Sequence, residues 1–101
     1  MPPVTAGGLV VNMFEMLGRV IKNGRAVKDI TVEVTEGDTR TARVFAGLAL
    51  ICRAFDLEQP QWLDGNVAEF FRLSRTRFAP ESFIEKVDFD YLQIEITRED
   101  R

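Results

Sequence analysis

Side chains able to carry covalent or acid–base chemistry are scarce in this chain. Its 101 residues contain no histidine and a single cysteine, Cys52. A reactive thiolate needs a positively charged, partly exposed setting, whereas Cys52 lies on the apolar stripe of a predicted helix. One cysteine alone also excludes an internal disulfide and a cysteine-based zinc site. We therefore expect a buried structural thiol at Cys52.

Acidic side chains late in the chain are the second candidate for chemistry. Glu85, Asp88 and Asp90 could offer oxygen ligands to a divalent cation, or carboxylates to an enzyme. Asp88 and Asp90 flank Phe89, so on a strand they would point to the same side. The sequence lacks the phosphate-binding glycines and the EF-hand spacing of known sites. The prediction is therefore solvated or capping carboxylates, with no metal, no cofactor and no enzymatic activity.

Basic side chains form two groups that could contact phosphates or an acidic partner. The first group surrounds a predicted hairpin turn and the second follows a predicted helix: Arg19, Lys22, Arg25 and Lys28, then Arg72, Arg75 and Arg77. The formal net charge is nevertheless -3 and the pI is ≈ 4.9, whereas nucleic-acid-binding domains usually have a pI above about 9. We expect these charges to be solvated or paired within the chain.

Leu50 is an apolar residue that lies outside the predicted core. It lies on the face of the central helix opposite the apolar stripe, between Arg43 and Arg53. Its small neighbours on that face are Ala46, Gly47 and Ala54. Because small residues let a second helix approach closely, Arg43, Leu50 and Arg53 are a candidate partner-binding surface for a second copy or another protein. Cover by the second helix of the same chain is the alternative.

The aromatic residues are predicted to pack rather than to bind. Trp62 lies in the connection between the two helices, where we expect it to fill a gap and to donate its indole N–H to a loop carbonyl. The clustered phenylalanines are expected to form the layer between helices and sheet: Phe70, Phe71, Phe78, Phe83 and Phe89.

The elements that must position these residues begin with a hairpin. Asn23 and Gly24 favour a type I′ turn, and β-branched, alternating strands flank them. The predicted pairs are Ile21–Ala26, Val20–Val27 and Leu17–Ile30. The alternative is a helix over residues 10–21, which Gly18 would destabilise by about 1 kcal/mol relative to alanine. The mirrored flanks of the turn favour the hairpin.

Two helices and a last strand follow the hairpin. Apolar residues recur at helical spacing over residues 41–56, with Asp38 or Thr39 as the N-cap: Val44, Phe45, Leu48, Ile51, Cys52 and Phe55. A second helix is expected to begin at Asn66, and its core-facing residues are predicted to be Val67, Phe70 and Phe71. A short helical turn from Pro80 is predicted to carry Phe83, Ile84 and Val87. The strand spans residues 90–97.

These elements predict a single α+β domain over residues 9–101, with residues 1–8 as a disordered lead-in. Their order is β-β-α-α-(α)-β. The hairpin and the C-terminal strand form a small antiparallel sheet, covered on one face by the two main helices. Such a sheet keeps open edges, which can pair with a second copy or with a partner's strand.

Six short motifs follow one another along the chain: Phe55-Asp56-Leu57, Pro60-x-Trp62-Leu63, Asn66-x-x-x-Phe70, Thr76-Arg77-Phe78, Ser82-Phe83-Ile84-Glu85 and Phe89-Asp90-Tyr91-Leu92. Together with hairpin residues 20–24, they resemble a group of short uncharacterised bacterial proteins with no assigned activity. The resemblance covers nearly the whole chain. It implies the same order of elements and the hairpin, and it implies no site residue.

The longest apolar run, over residues 44–52, is nine residues long, whereas a membrane span needs about 20. A positively charged signal-peptide region is also absent, so we expect a cytoplasmic protein without membrane contact. Because no catalytic constellation is present, the expected function is a small, non-enzymatic, self-associating interaction module. The alternative is an accessory nucleic-acid-binding protein that uses the basic hairpin tip.

Overall fold

The hairpin predicted around Asn23 and Gly24 is present. The computed structural model describes residues 13–100 of the chain, so the lead-in expected over residues 1–8 lies outside the described residues. Strands β1 (Phe14–Lys22) and β2 (Arg25–Glu33) pair antiparallel. Asn23 and Gly24 have φ angles of 54° and 80°, which are the left-handed values that a type I′ turn requires. The alternative helix is therefore excluded for residues 14–21.

The register of the hairpin differs from the prediction beyond its first pairs. Ile21 pairs with Ala26 as predicted, and a β-bulge then shifts the register by one residue. The observed pairs beyond it are Val20–Lys28, Gly18–Ile30 and Leu17–Thr31. The predicted pairs Val20–Val27 and Leu17–Ile30 are wrong, because a bulge places an extra residue of one strand opposite its partner. As a result, Lys28 lies on the same side of the sheet as the buried Val20.

Four strands form the sheet, in the order β2-β1-β4-β3, and every neighbouring pair is antiparallel. Strand β4 (Tyr91–Glu99) joins the hairpin in one antiparallel sheet, as predicted, and it does so by pairing with β1. Strand β3 (Arg75–Phe78) adds a short edge that the prediction did not contain. Only four residues long, it follows directly on a helix, so its alternation has no room to become a recognisable strand pattern.

Helix α1 (Arg40–Ala54) covers one face of the sheet. Thr39 is its N-cap, as predicted, because its hydroxyl oxygen accepts the Ala42 N–H at 3.1 Å. The helix lies unusually close to β1: a Cβ atom on Gly18 would overlap Ile51, and one on Gly47 would overlap Met16. Glycine at these two positions therefore allows the helix to sit directly on the strand.

Helix α2 (Asp64–Leu73) begins two residues before the predicted start at Asn66. Asn66 instead stabilises the first turn from inside, because its Oδ1 accepts the Leu63 N–H at 3.0 Å. Its Nδ2 donates to Thr76 Oγ1 at 3.0 Å and to the Arg77 carbonyl at 2.8 Å. This single amide therefore ties the start of α2 to β3.

The predicted third helical segment is a 3₁₀ turn over Pro80–Ser82. Phe83 and Phe89 after it are buried and pack edge to face, with ring centres 5.5 Å apart. Ile84 is 84% exposed, so only part of the apolar group predicted for this segment reaches the core.

The core lies between the helices and one face of the sheet. Its buried apolar members include Phe14, Met16, Val20, Val44, Leu48, Ile51, Cys52, Phe55, Phe70, Phe78, Leu92 and Ile94. The predicted α+β class, with helices covering one face of an antiparallel sheet, is confirmed. In the described part of the chain, neither helix has the length and apolar content that crossing a bilayer requires.

Candidate functional site

An apolar groove of about 200 Å³ lies between α1 and α2. We call it the helix groove. Its lining residues are Arg40, Thr41, Val44, Phe45, Trp62, Val67, Phe70 and Phe71. Most of these side chains are aromatic or aliphatic, so the groove suits an apolar side chain rather than a charged ligand.

Trp62 forms the base of the helix groove. Its ring makes edge-to-face contacts with three phenylalanines, with ring centres 5.9 Å from Phe45, 5.6 Å from Phe70 and 5.0 Å from Phe78. The prediction that Trp62 fills the gap between the helices is confirmed. The predicted hydrogen bond is wrong, because the buried indole Nε1 has no partner among residues 13–100. The three rings in edge-to-face contact with Trp62 are phenylalanine rings, which offer no hydrogen-bond acceptor oxygen.

Exposed apolar side chains form the rim of the helix groove. Phe71 is 86% exposed and Val67 is 55% exposed. The prediction that both face the core is therefore wrong, whereas Phe70 is buried as predicted. Because consecutive helical residues are about 100° apart, the adjacent residues Phe70 and Phe71 cannot both point at the sheet. That angular difference is the signal in the sequence that could have revealed an outward phenylalanine.

Phe45 extends this rim from α1 and is 48% exposed. Leu63, just before α2, is also 48% exposed but does not line the groove. Phe45 was predicted to belong to the core stripe, but the buried face of α1 is centred on Val44, Leu48 and Ile51. The exposed residues that line the helix groove, Phe45, Val67 and Phe71, form the apolar rim.

Arg40 closes one end of the helix groove. Its Nε donates to Glu99 Oε2 at 2.8 Å and its Nη2 donates to Ser74 Oγ at 2.9 Å. The guanidinium carbon also lies 5.9 Å from the centre of the Phe70 ring. Arg40 thus joins the start of α1 to the end of α2 and to β4, so the groove has one polar, fixed end.

The predicted surface around Leu50 is separate from the helix groove. Leu50 is 37% exposed, and Arg53 is exposed beside it. Arg43 is half-buried and its Nε donates to the Gly37 carbonyl at 3.1 Å. Gly47 does not belong to this outward face as predicted, because it is buried against β1. The Leu50 surface is therefore narrower than the sequence indicates.

The structure does not gather the predicted basic residues into one patch. Lys22 and Lys28 lie on the helix-covered side, where Lys22 Nζ is 3.4 Å from Asp88 Oδ2. Arg25 is opposite Lys22 at the hairpin turn, and Arg72 is in the last turn of α2. The residues brought together are Arg19, Arg75 and Arg77, on the solvent-facing side of the sheet.

Those three arginines are interleaved with acidic and aromatic residues. Gln93 of β4 pairs with Arg19 on one side and with Arg77 on the other. The Arg77 guanidinium carbon lies 4.8 Å from the centre of the Tyr91 ring. Asp29 is opposite Arg19 and Glu95 is opposite Arg75, so carboxylates divide the positive charge on this face.

A wider cleft of about 760 Å³ lies between the hairpin tip and the segment before β4. Its charged lining residues are Lys22, Lys28, Lys86, Asp56, Glu85 and Asp88, three of each sign. Glu85 Oε2 accepts the Glu58 N–H at 2.7 Å, and Asp90 Oδ2 beside the cleft accepts the Asn23 N–H at 2.9 Å. The carboxylates of Glu85 and Asp90 therefore cap backbone N–H groups of a loop and of the hairpin turn, as expected. Asp88 and Asp90 precede β4 rather than lie on it.

The chemistry available around these residues is limited. Cys52 is 1% exposed, which confirms the predicted buried thiol. Burial, followed by the negative charge of Glu85, raises the pKa of the Cys52 thiol to about 11. Within residues 13–100, no three side chains of the metal-ligating types converge into a group able to hold an ion.

We compared the chain with protein-family models, curated proteins and solved structures, and none of the three comparisons returned a match.

Proposed function

We propose that this protein is a non-enzymatic interaction module that self-associates through the apolar rim of its helix groove. The observation that carries the proposal is the 86% exposure of Phe71, which lines the helix groove together with the exposed Val67 and Phe45. Contiguous apolar patches rimmed by polar residues are typical of protein interaction sites. The buried, protonated thiol of Cys52 also fits a protein of the reducing cytoplasm, which is the compartment that the proposal assumes.

The energetic argument concerns what Phe71 would gain in a complex. Burying one phenylalanine contributes about 1.5–3 kcal/mol. A twofold dimer contains the residue twice, so both contributions count in the dissociation constant. Removing them would cost about 3 kcal/mol or more, which corresponds to a roughly 100-fold weaker dimer.

The experiment is light scattering combined with sedimentation equilibrium over a dilution series. We expect the unmodified protein to pass from monomer to dimer as its concentration rises through the micromolar range. Phe71→Ser is expected to remain monomeric there. Ile84→Ser is the matched control, because Ile84 is 84% exposed but lies outside α1, α2 and the helix groove; it should dimerise like the unmodified protein.

Two outcomes would contradict the proposal. A strict monomer at high micromolar concentration would remove self-association. Equal dimerisation of Phe71→Ser and Ile84→Ser would remove the apolar rim from the contact. Leu50→Ser tests the other predicted surface in the same series, and the proposal expects it to dimerise unchanged.

A second candidate function is binding of single-stranded nucleic acid on the solvent-facing side of the sheet. The observation that favours it is the row formed by Arg19, Gln93 and Arg77, with Arg77 stacked on Tyr91. Arginine and an aromatic ring on a sheet face are suited to phosphates and to stacked bases.

Retention on heparin and on a labelled oligonucleotide at low salt tests this candidate. Binding by Arg19 and Arg77 should weaken steeply with salt. It should be lost in Arg19→Gln/Arg77→Gln and kept in the charge-matched control Arg25→Gln/Arg53→Gln. The absence of any retention of the unmodified protein at low salt would end this candidate.

A further inference from the structure

Helix α2 presents one continuous outward face, which we call the α2 outer face. It consists of Asp64, Gly65, Val67, Ala68, Phe71 and Arg72, all of them exposed. The opposite side of the helix carries the buried Phe70 and the amide of Asn66 that binds β3. The α2 outer face is therefore free of the contacts that hold the helix to its own domain.

The charges on the α2 outer face are arranged symmetrically about its centre. Asp64 lies four residues before Ala68, and Arg72 lies four residues after it. Neither forms an ion pair within the described part of the chain. Residues 64, 68 and 72 form one i±4 row on the helix surface. If two such helices cross antiparallel about a twofold axis that passes through Ala68 perpendicular to this row, each Asp64 faces the partner's Arg72. The charge pattern is thus complementary to a second copy of itself.

The residues around Ala68 leave room for a close crossing of two helices. Gly65 and Ala68 are small, and a Cβ atom on Gly65 would meet nothing within 4 Å among the described residues. Phe71 lies about 60° from Ala68 around the helix, so it borders the crossing point. Ala68 on the axis faces its own copy, and small residues at a crossing let helix axes approach to about 8 Å.

We propose that two copies of the chain pair through antiparallel α2 helices, about a twofold axis at Ala68. The inference rests on the proposed self-association and specifies its geometry. Such an interface is isologous, so every contact occurs twice. Each Phe71 then packs at the side of the crossing, next to its own Val67, and two ion pairs close the ends of the contact.

Charge reversal and mixing test this geometry. Asp64→Arg places two arginines opposite each other at both ends of the dimer, and Arg72→Asp places two aspartates there. Each variant alone should therefore dimerise about tenfold or more weakly than the unmodified protein. Mixed in equal amounts, the two variants present complementary charges, and native mass spectrometry should find the heterodimer in excess of either homodimer. The double variant Asp64→Arg/Arg72→Asp should form homodimers again.

Controls separate this geometry from general effects of charge. Glu81→Arg and Arg25→Asp change the net charge equally, but at exposed positions outside α2; both should dimerise unchanged. If either charge reversal lowers the folding stability, the neutral variants Asp64→Asn and Arg72→Gln replace it, and each should weaken the dimer by a smaller factor.

The outcomes distinguish this inference from the proposed function. If the unmodified protein dimerises but the mixed variants show no preference for the heterodimer, the antiparallel arrangement is wrong while self-association stands. If the unmodified protein is monomeric throughout, the proposed function and the geometry fail together.

Discussion

At the scale of single residues, Phe70 and Phe71 are adjacent in the sequence but have opposite environments. Phe70 is 6% exposed and Phe71 is 86% exposed. Both were predicted to face the core because both are hydrophobic. The prediction failed for Phe71 because the contact of α2 with β3 sets which side of the helix faces the core. Cys52 was predictable, since it shares the apolar stripe of α1 with Leu48 and Ile51. A residue's burial can thus be predicted where a long pattern fixes the helix face.

The first prediction at this scale concerns the pH dependence of stability. Burial raises the pKa of the Cys52 thiol from 9.0 to about 11. Between these values the thiol ionises in the unfolded chain but not in the folded one, so ionisation favours unfolding. The free energy of unfolding should therefore fall as the pH rises from 9 through 11.

Urea unfolding of the unmodified protein and of Cys52→Ala, from pH 8 to pH 11, measures this effect. All other side chains are the same in the two proteins, so the difference between the two curves isolates the thiol. The difference should shrink steadily above pH 9. Parallel curves would contradict the assignment.

The second prediction concerns the close approach of α1 to β1. In Gly18→Ala the added Cβ atom overlaps the side chain of the fully buried Ile51. Overpacking of this kind costs about 1–3 kcal/mol. Chemical denaturation should show that loss, whereas Gln59→Ala at an exposed loop position should stay within about 0.5 kcal/mol. An unchanged midpoint for Gly18→Ala would mean that the helix can move away from the strand at little cost.

At the scale of the elements, segments that are long or that end at a strong turn signal can be predicted from the sequence. The turn at Asn23 and Gly24 and the apolar stripe of α1 predicted their elements, because each signal is strong and local. The bulge in β2 and the short strand β3 were not predictable. Both depend on pairing with a strand that is distant in the sequence or displaced in register, and pairing of that kind leaves little local pattern.

The prediction at this scale concerns the link between α2 and β3. Asn66→Ala removes the acceptor for the Leu63 N–H and the donors to Thr76 and Arg77. Groups left without partners cost about 1–3 kcal/mol, so we expect a loss of stability in that range. Asn66→Asp keeps the acceptor and should retain part of the stability.

Urea unfolding with hydrogen exchange in β3 measures the effect of these two variants. The matched control is Gln61→Ala, whose side chain is exposed in the loop before α2. If Asn66→Ala and Gln61→Ala unfold at the same midpoint, the amide does not anchor the helix.

At the scale of the whole molecule, function depends on which residues share a surface. The residues of the two predicted basic groups are divided between the two sides of the sheet, because alternation and the bulge place Arg19 and Lys28 on opposite faces. The helix groove could not be predicted either, since it arises where two helices and Trp62 meet.

The claim that two copies meet through α2 is tested most directly by cross-linking at its centre. Ala68→Cys places a thiol on the proposed twofold axis, where the two Cβ atoms can approach the 3.5–4.5 Å that a disulfide requires. The native Cys52 is buried and gives no background. In a mild redox buffer at micromolar concentration, Ala68→Cys should form a covalent dimer much faster than Ile84→Cys, whose thiol is equally accessible. Equal rates for the two variants would contradict the account.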